Sequence, residues 1–166
     1  MTDYPPVSSG EPSAAHPTSG TSDDEYAAFI GPNATTYLPL FRKYAVNPNG
    51  FNAGWNWAAF FFSFWWYLYR KMYLWAAVCF VTMMLPYFNL IIWLAWAVAA
   101  NQLYYKHAET KMQEVRAVHG ASYFSFLPDA GGVNRWVPWV AIIISGGFLL
   151  VLVTLGLLGF FLNLIF

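Results

Sequence analysis

From Asn52 to Met72 the chain reads NAGWNWAAFFFSFWWYLYRKM, and the usual exchange of apolar and polar positions disappears. Ten aromatic residues fall between Trp55 and Tyr69, and the run stops on Arg70 and Lys71. A helix apolar on every face has no side to turn toward water. Trp and Tyr favour the bilayer interface, where the ring lies among headgroups and the polar tip stays wet. The stretch predicts an aromatic helix, interfacial or re-entrant, capped by Asn56 and anchored by the Arg70–Lys71 pair. Met72 to Ala100 follows with no charge at all. As one straight helix it would run about 43 Å, well beyond a ~30 Å hydrocarbon core. Pro86 at its centre predicts a break, and so a helical hairpin with Met72–Leu85 as one arm and Tyr87–Tyr104 as the other. One kinked span is the alternative. Asn89 would satisfy backbone groups at the turn. Trp136 to Phe166 carries no charge and predicts a C-terminal transmembrane helix, with Pro138 in its first turn. Its glycines 146, 147, 156 and 159 contain no GxxxG pair, so they read as tolerated positions on a lipid-facing helix.

The segments between these apolar runs are different in kind. Residues 1–22 are rich in Ser, Thr, Pro and Gly and predict a disordered tail. Residues 23–50 predict short juxtamembrane helices. Asp23 and Asp24 would cap the first, which ends at Gly31–Pro32. Asn33 would cap the second, Ala34 to Tyr44, which Pro39 should kink or divide. Arg42 and Lys43 beside aromatic residues suit a helix resting on an anionic membrane face. Asn47 to Gly50 is a turn by composition. Residues 51–120 hold the aromatic helix, the hairpin and a polar extension from Asn101 to His119. That extension carries Tyr104, Ala108, Met112 and Val115 along one stripe, with Gly120 as its stop. Lys106 with Glu109 and Lys111 with Glu114 stand at i,i+3 spacing on its exposed face. Residues 121–135 read as a cytoplasmic loop, and 136–166 as the final span.

Composition narrows the function. The chain has 166 residues, 58% hydrophobic and 21% aromatic, with 10% charged and a formal net charge of zero. That balance falls on the membrane side of the globular range and offers no basic face for nucleic acid. Cys79 is the only cysteine, so a disulfide framework and a thiolate zinc site are both excluded, and it reads as a small apolar filler. Met1 to Thr21 has neither the basic start nor the apolar core of a signal peptide. The Asn33-Ala34-Thr35 sequon is a short match of the kind chance supplies. Basic residues 42, 43, 70 and 71 precede the central apolar run, and 106, 111, 116 and 135 follow it. The positive-inside rule puts both groups in the cytoplasm, with the C-terminus outside.

Polar side chains in apolar surroundings are the candidates for function. Asn52, Asn56, Ser63 and Arg70 lie four, seven and seven apart, one stripe of a continuous aromatic helix. The stripe could line a polar groove or hold a partner helix; equally, Asn56 is a cap and Arg70 a snorkelling anchor. Tyr104, His107 and Lys111 share a face at the membrane exit, either as a proton-responsive or headgroup-binding site or as interfacial anchors. With Trp57, Trp66, Lys71 and Asn101 these make up the expected partner or lipid contacts. No catalytic set appears, since there are no carboxylates between Glu25 and Glu109, no phosphate loop and no nucleophile elbow.

Asn56-Trp57-Ala58-Ala59-Phe60-Phe61-Phe62, followed by Trp66 and Tyr69-Arg70-Lys71-Met72, resembles the bacterial domain of unknown function 2628 family. The likeness takes in Tyr26, Phe29-Ile30-Gly31, Asn33 and Tyr37 to Phe41 upstream. Downstream it covers Asn101, Tyr104, Tyr105 and His107, and more loosely Gly131-Gly132, so it spans roughly 26 to 135. Ser63 departs from it, standing where the family pattern leads one to expect glycine. The resemblance implies a small bacterial inner-membrane protein and brings no established activity with it.

The expectation is an all-α integral membrane protein: aromatic helix, hairpin broken near Pro86, and one C-terminal transmembrane helix, multi-pass in the bacterial inner membrane. Its expected role is non-catalytic and accessory, without a cofactor. It would bind lipid, a membrane-protein partner or a second copy of itself, and no nucleic acid. The alternative is a subunit of a small oligomeric channel or transporter.

Overall fold

The computed structural model describes residues 21–50, 52–85 and 89–165, and among them every regular element is helical. The expected tail up to residue 20 and the expected break at Pro86 lie outside these residues.

Local chemistry sets the first elements. Helix α1 (Asp23–Ile30) begins on Ser22, not on the aspartates. Ser22 Oγ accepts from Glu25 N at 3.3 Å, and Glu25 Oε2 accepts from Ser22 N at 2.6 Å. This reciprocal box satisfies two amides that have no partner inside the helix, which a lone Asp cap would not. Asp23 and Asp24 fall instead in the first turn, where negative charge suits the amide end of the helix. Helix α2 (Ala34–Val46) follows a single tight turn and contains Pro39 without being divided. Its Tyr37, Phe41 and Tyr44 are buried, and that aromatic face holds the helix together across the proline. Asn33 precedes α2 but makes no side-chain cap bond.

The aromatic run is not one helix. It forms α3 (Trp57–Phe62) and α4 (Phe64–Tyr69), broken at Ser63 with φ 50° and ψ −130°. Those angles are close to the first central position of a type II′ turn, which glycine occupies without a Cβ penalty. Ser63 Oγ turns to Met83 Sδ at 2.8 Å and Cys79 Sγ at 3.7 Å. The expected stripe through Asn52, Asn56, Ser63 and Arg70 therefore does not exist as a helix face. Asn52 lies in the preceding segment, Asn56 is the N-cap, Ser63 is the corner and Arg70 closes α4.

Lys71, at φ 60°, turns the chain into α5 (Tyr73–Met83). At 11 residues, α5 is about 16 Å long, roughly half of what a crossing needs. Helix α6 (Asn89–His119) has 31 residues and is about 46 Å long, a post for most other elements. Trp96 links the two: its Nε1 donates to Thr82 Oγ1 at 2.9 Å, and its ring meets Trp75.

The stripe Tyr104, Ala108, Met112 and Val115 is buried against the other helices, so Tyr104, expected as an outward contact, faces the core. Lys111 pairs with Glu114 at 2.6 Å. Glu109, expected beside Lys106, instead accepts from Tyr26 Oη, because α1 packs on that turn of α6. The segment expected as a loop after Gly120 is largely helical, a 3-10 stretch (Gly120–Phe126) and then α7 (Leu127–Ala130). Leu127 is fully buried and pins it to the core. Gly131 makes the closest approach, since a Cβ there would stand 2.1 Å from Phe29 O. The neighbouring Gly132 N donates to that same carbonyl at 2.7 Å. Phe29-Ile30-Gly31 and Gly131-Gly132, far apart in sequence, thus meet in space.

Helix α8 (Val137–Ile165) leaves this cluster almost alone. Its Val137–Leu164 stretch of 28 residues is long and apolar enough to cross a membrane; its most apolar 18 residues have mean hydropathy 2.6 and are not buried by the rest of the chain.

The corner at Ser63 gives a direct test. Ser63→Gly and Ser63→Ala remove the same hydroxyl, but only glycine relieves the backbone. We expect the glycine variant to be more stable than the alanine variant by about 1–2 kcal/mol, measured by denaturant unfolding in micelles. Equal stabilities would show that the corner carries no strain.

Candidate functional site

Helix α6 organises the site through two successive turns. At the first, the extended segment 52–56 lies across it, Gly54 N donating to Val98 O at 3.3 Å and Asn56 N to Ala97 O at 3.2 Å. Asn56 Nδ2 donates to Asn101 Oδ1 at 2.7 Å, while Asn56 Oδ1 caps α3 through Ala59 N at 2.9 Å. Asn101 Nδ2 reaches Trp55 O at 3.3 Å, and Gln102 Nε2 reaches Gly50 O at 2.7 Å. These polar groups are buried and bonded, the condition under which burial costs little.

One turn further along, Tyr104 is buried edge-on to Tyr37 of α2, ring centres 5.2 Å apart, and 6.0 Å from Trp66 of α4. Arg70 packs against both tyrosines, whose rings touch each other. Its guanidinium carbon lies 4.5 Å from the Tyr37 ring centre and 4.8 Å from that of Tyr104. Its Nη1 is 3.4 Å from Tyr104 Oη. Arg70 is only 3% exposed, so it does not snorkel. Among the described residues no carboxylate lies within ion-pair distance, and its buried Nε has no hydrogen-bond partner. A guanidinium keeps its charge in proteins. Each desolvated cation–π contact returns about 2 kcal/mol, against several kcal/mol for taking the ion out of water.

Beside Arg70 opens a cavity of about 750 Å³. Asn33, Thr36 and Tyr37 line it from the start of α2, and Ala58, Phe61, Phe62, Trp65, Trp66 and Tyr69 from α3 and α4. Val137, Pro138, Ala141, Ile142 and Ser145 close it from the first turns of α8.

A second polar cluster holds α1 to the far half of α6. Glu25 accepts from Tyr123 Oη and Ser22 N, and pairs with Arg116 at 2.7 Å. Burial alone would push its carboxyl up; the bonds from Tyr123, Ser22 and Arg116 outweigh it and hold the group below its ordinary value. Tyr26 is pushed up by burial and by its bond to Glu109. The sequence reading missed this clasp, although Ser22-Asp23-Asp24-Glu25 carries the capping-box spacing that announces it.

Of the expected contact residues, Asn56, Trp66, Arg70, Asn101 and Tyr104 converge here. The others do not. Asn52 Nδ2 donates to Asn47 O at 2.9 Å in the turn before. Trp57 lies on the surface, stacked on Phe61. Ser63 is at the corner. Lys71, expected as a membrane anchor beside Arg70, donates to Asp129 O at 2.8 Å. His107 is half-buried, its pKa lowered by burial and by Lys111, and no hydrogen bond joins it to Tyr104 or Lys111. Tyr37, the second ring around Arg70, was not singled out because nothing local in sequence pairs it with residue 70. Among the described residues no group of three or more His, Cys, Asp or Glu is placed to hold a metal. No protein-family model, curated protein or solved structure matches this chain.

Asn56→Ala removes a cap and strands the Asn101 amide, and should cost about 2 kcal/mol. In a double-mutant cycle Asn56 and Asn101 should couple by about 1 kcal/mol or more, whereas independent sites would give near zero. Because the Glu25 pKa is lowered on folding, its contribution is present above the ordinary carboxylate range and lost as pH falls through the folded value. Melting temperature should therefore drop on acidification below about pH 4.5, and Glu25→Gln should flatten that drop.

Proposed function

We propose that this chain is a small, non-catalytic accessory protein of the bacterial inner membrane that binds membrane lipid or a membrane partner. The observation that carries the reading is α8, a stretch of 28 residues whose most apolar 18, at mean hydropathy 2.6, are not buried by the rest of the chain. A surface of that size and apolarity is stable in hydrocarbon and unfavourable in water. In this reading α8 crosses the bilayer once. The basic residues before it stay in the cytoplasm, and the C-terminus lies outside. Helix α5 and the apolar start of α6 expose Leu74, Val81, Leu90 and Ile91, and lie in the interfacial zone as a re-entrant pair. The resemblance to the domain of unknown function 2628 family belongs to the same proposal. A channel or transporter subunit is less well supported, because its sequence argument was the polar stripe that the corner at Ser63 breaks.

Carbonate-washed membranes test the reading. The full chain should remain in the pellet, and a chain ending at Arg135 should shift substantially toward the wash. Release of the full chain would end the proposal. Crosslinked purification from native membranes should then recover a stoichiometric membrane-protein partner, or specific lipid, in the accessory case.

A further inference from the structure

We propose that the cavity beside Arg70 is a binding site for a single anionic phospholipid taken from the surrounding leaflet, its phosphate neutralising Arg70. The inference deepens the membrane reading above and rests on it.

Three observations point to an acidic head. Arg70 is nine-tenths buried and more, lines the cavity, and has no carboxylate partner among the described residues. Among the described residues its buried Nε has no acceptor, a rare and costly condition, and an anion seated beside the guanidinium would offset the charge that burial leaves uncompensated. Asn33 and Thr36 bring the first turn of α2 to the same wall, so the amide end of a 13-residue helix adds positive potential there. Asn33 does not spend its side chain on capping that helix.

Two observations point to an acyl chain. The rest of the lining is apolar, chiefly Phe61, Phe62, Trp65 and Ile142. The volume, about 750 Å³, falls within the ~300–1,000 Å³ of sites that bury a drug-sized ligand, room for a headgroup and the start of an acyl chain but not for a whole phospholipid. Position then selects the source. The α8 residues on the wall run from Val137 to Ser145, the end of the apolar helix next to Arg135. In a spanning α8 that end is at headgroup depth, so a lipid can present its phosphate to Arg70 while its chains continue along α8. Tyr37 and Tyr104 hold the guanidinium in place before the ligand arrives, which lowers the ordering cost of binding.

The test uses the full chain purified in neutral detergent, with phosphatidylglycerol, phosphatidylcholine and oleate as probes, read by native mass spectrometry. One phosphatidylglycerol should be retained per chain, preferred over phosphatidylcholine by about ten-fold or more, because both offer a phosphate but the choline cation cancels the charge and is repelled by Arg70. Arg70→Met should abolish that preference. It should also leave the ligand-free protein as stable as the wild type or more so, since a buried uncompensated charge is removed. Should Arg70→Met fail to fold, Ala141→Phe fills the cavity from α8 and should weaken retention of phosphatidylglycerol. Equal retention of both phospholipids, or an unchanged preference in Arg70→Met or Ala141→Phe, would overturn the proposal. So would oleate displacing phosphatidylglycerol at equal concentration, which would mean a free fatty acid is the ligand. Failure here with the full chain still held in carbonate-washed membranes refutes the lipid site alone, whereas loss from those membranes refutes the reading beneath it.

Discussion

A guanidinium out of water, packed against two touching tyrosine rings and with no carboxylate beside it among the described residues, is the constraint around which this fold is arranged. Arg70 belongs to the end of α4, Tyr37 to α2 and Tyr104 to α6, so one side chain fixes three elements against each other. Keeping that charge buried requires the rings to stay in place. The rings in turn are held by Phe41 and Trp66, and by the Asn56–Asn101 bond one turn earlier on α6. Hydrophobic packing alone would be satisfied by many arrangements of so many aromatic residues. The buried cation and the asparagine pair make the packing specific, because any shift strands a polar group.

The rest of the helical cluster serves the same post. The clasp of Glu25, Arg116 and Tyr123 closes α1 over the polar half of α6, and the contact of Phe29 with Gly131 brings α7 under it. Asn134 Nδ2 then donates to Leu68 O at 2.8 Å, tying the chain back to α4 just before α8 begins. The start of α8 is thereby held against α3 and α4, and that juxtaposition makes the cavity. Cluster and apolar helix meet where the charge is buried.

Much of this was legible in the sequence because it rests on local rules. Asn56 as a cap, the Tyr104–Val115 stripe, the Lys111–Glu114 pair and the long apolar C-terminal helix all follow from spacing and composition within one element. Ser63 was legible only as a departure from an expected glycine; its positive φ shows why glycine suits that place. The break it makes could not be read from hydropathy, since both halves of the aromatic run are equally apolar. Pro39 looked disruptive, yet the buried aromatic face of α2 outweighs one lost hydrogen bond. The 3-10 stretch and α7 looked like a loop because their helical turns are short and depend on burying Leu127. Arg70 was misread as an anchor for a related reason: its burial depends on Tyr37, some thirty residues upstream, and no local pattern reports that distance.

The account is tested most directly by the distance between the Arg70 guanidinium and lipid phosphorus in bilayers, measured by carbon–phosphorus dipolar recoupling on arginine-labelled protein. The chain has only four arginines, and the Arg70 signal is assigned by its loss in Arg70→Met. The account predicts a separation of about 4–5 Å, that of a charge-assisted hydrogen bond to phosphate, in membranes containing phosphatidylglycerol. A guanidinium carbon with no phosphorus nearby in those membranes would contradict it.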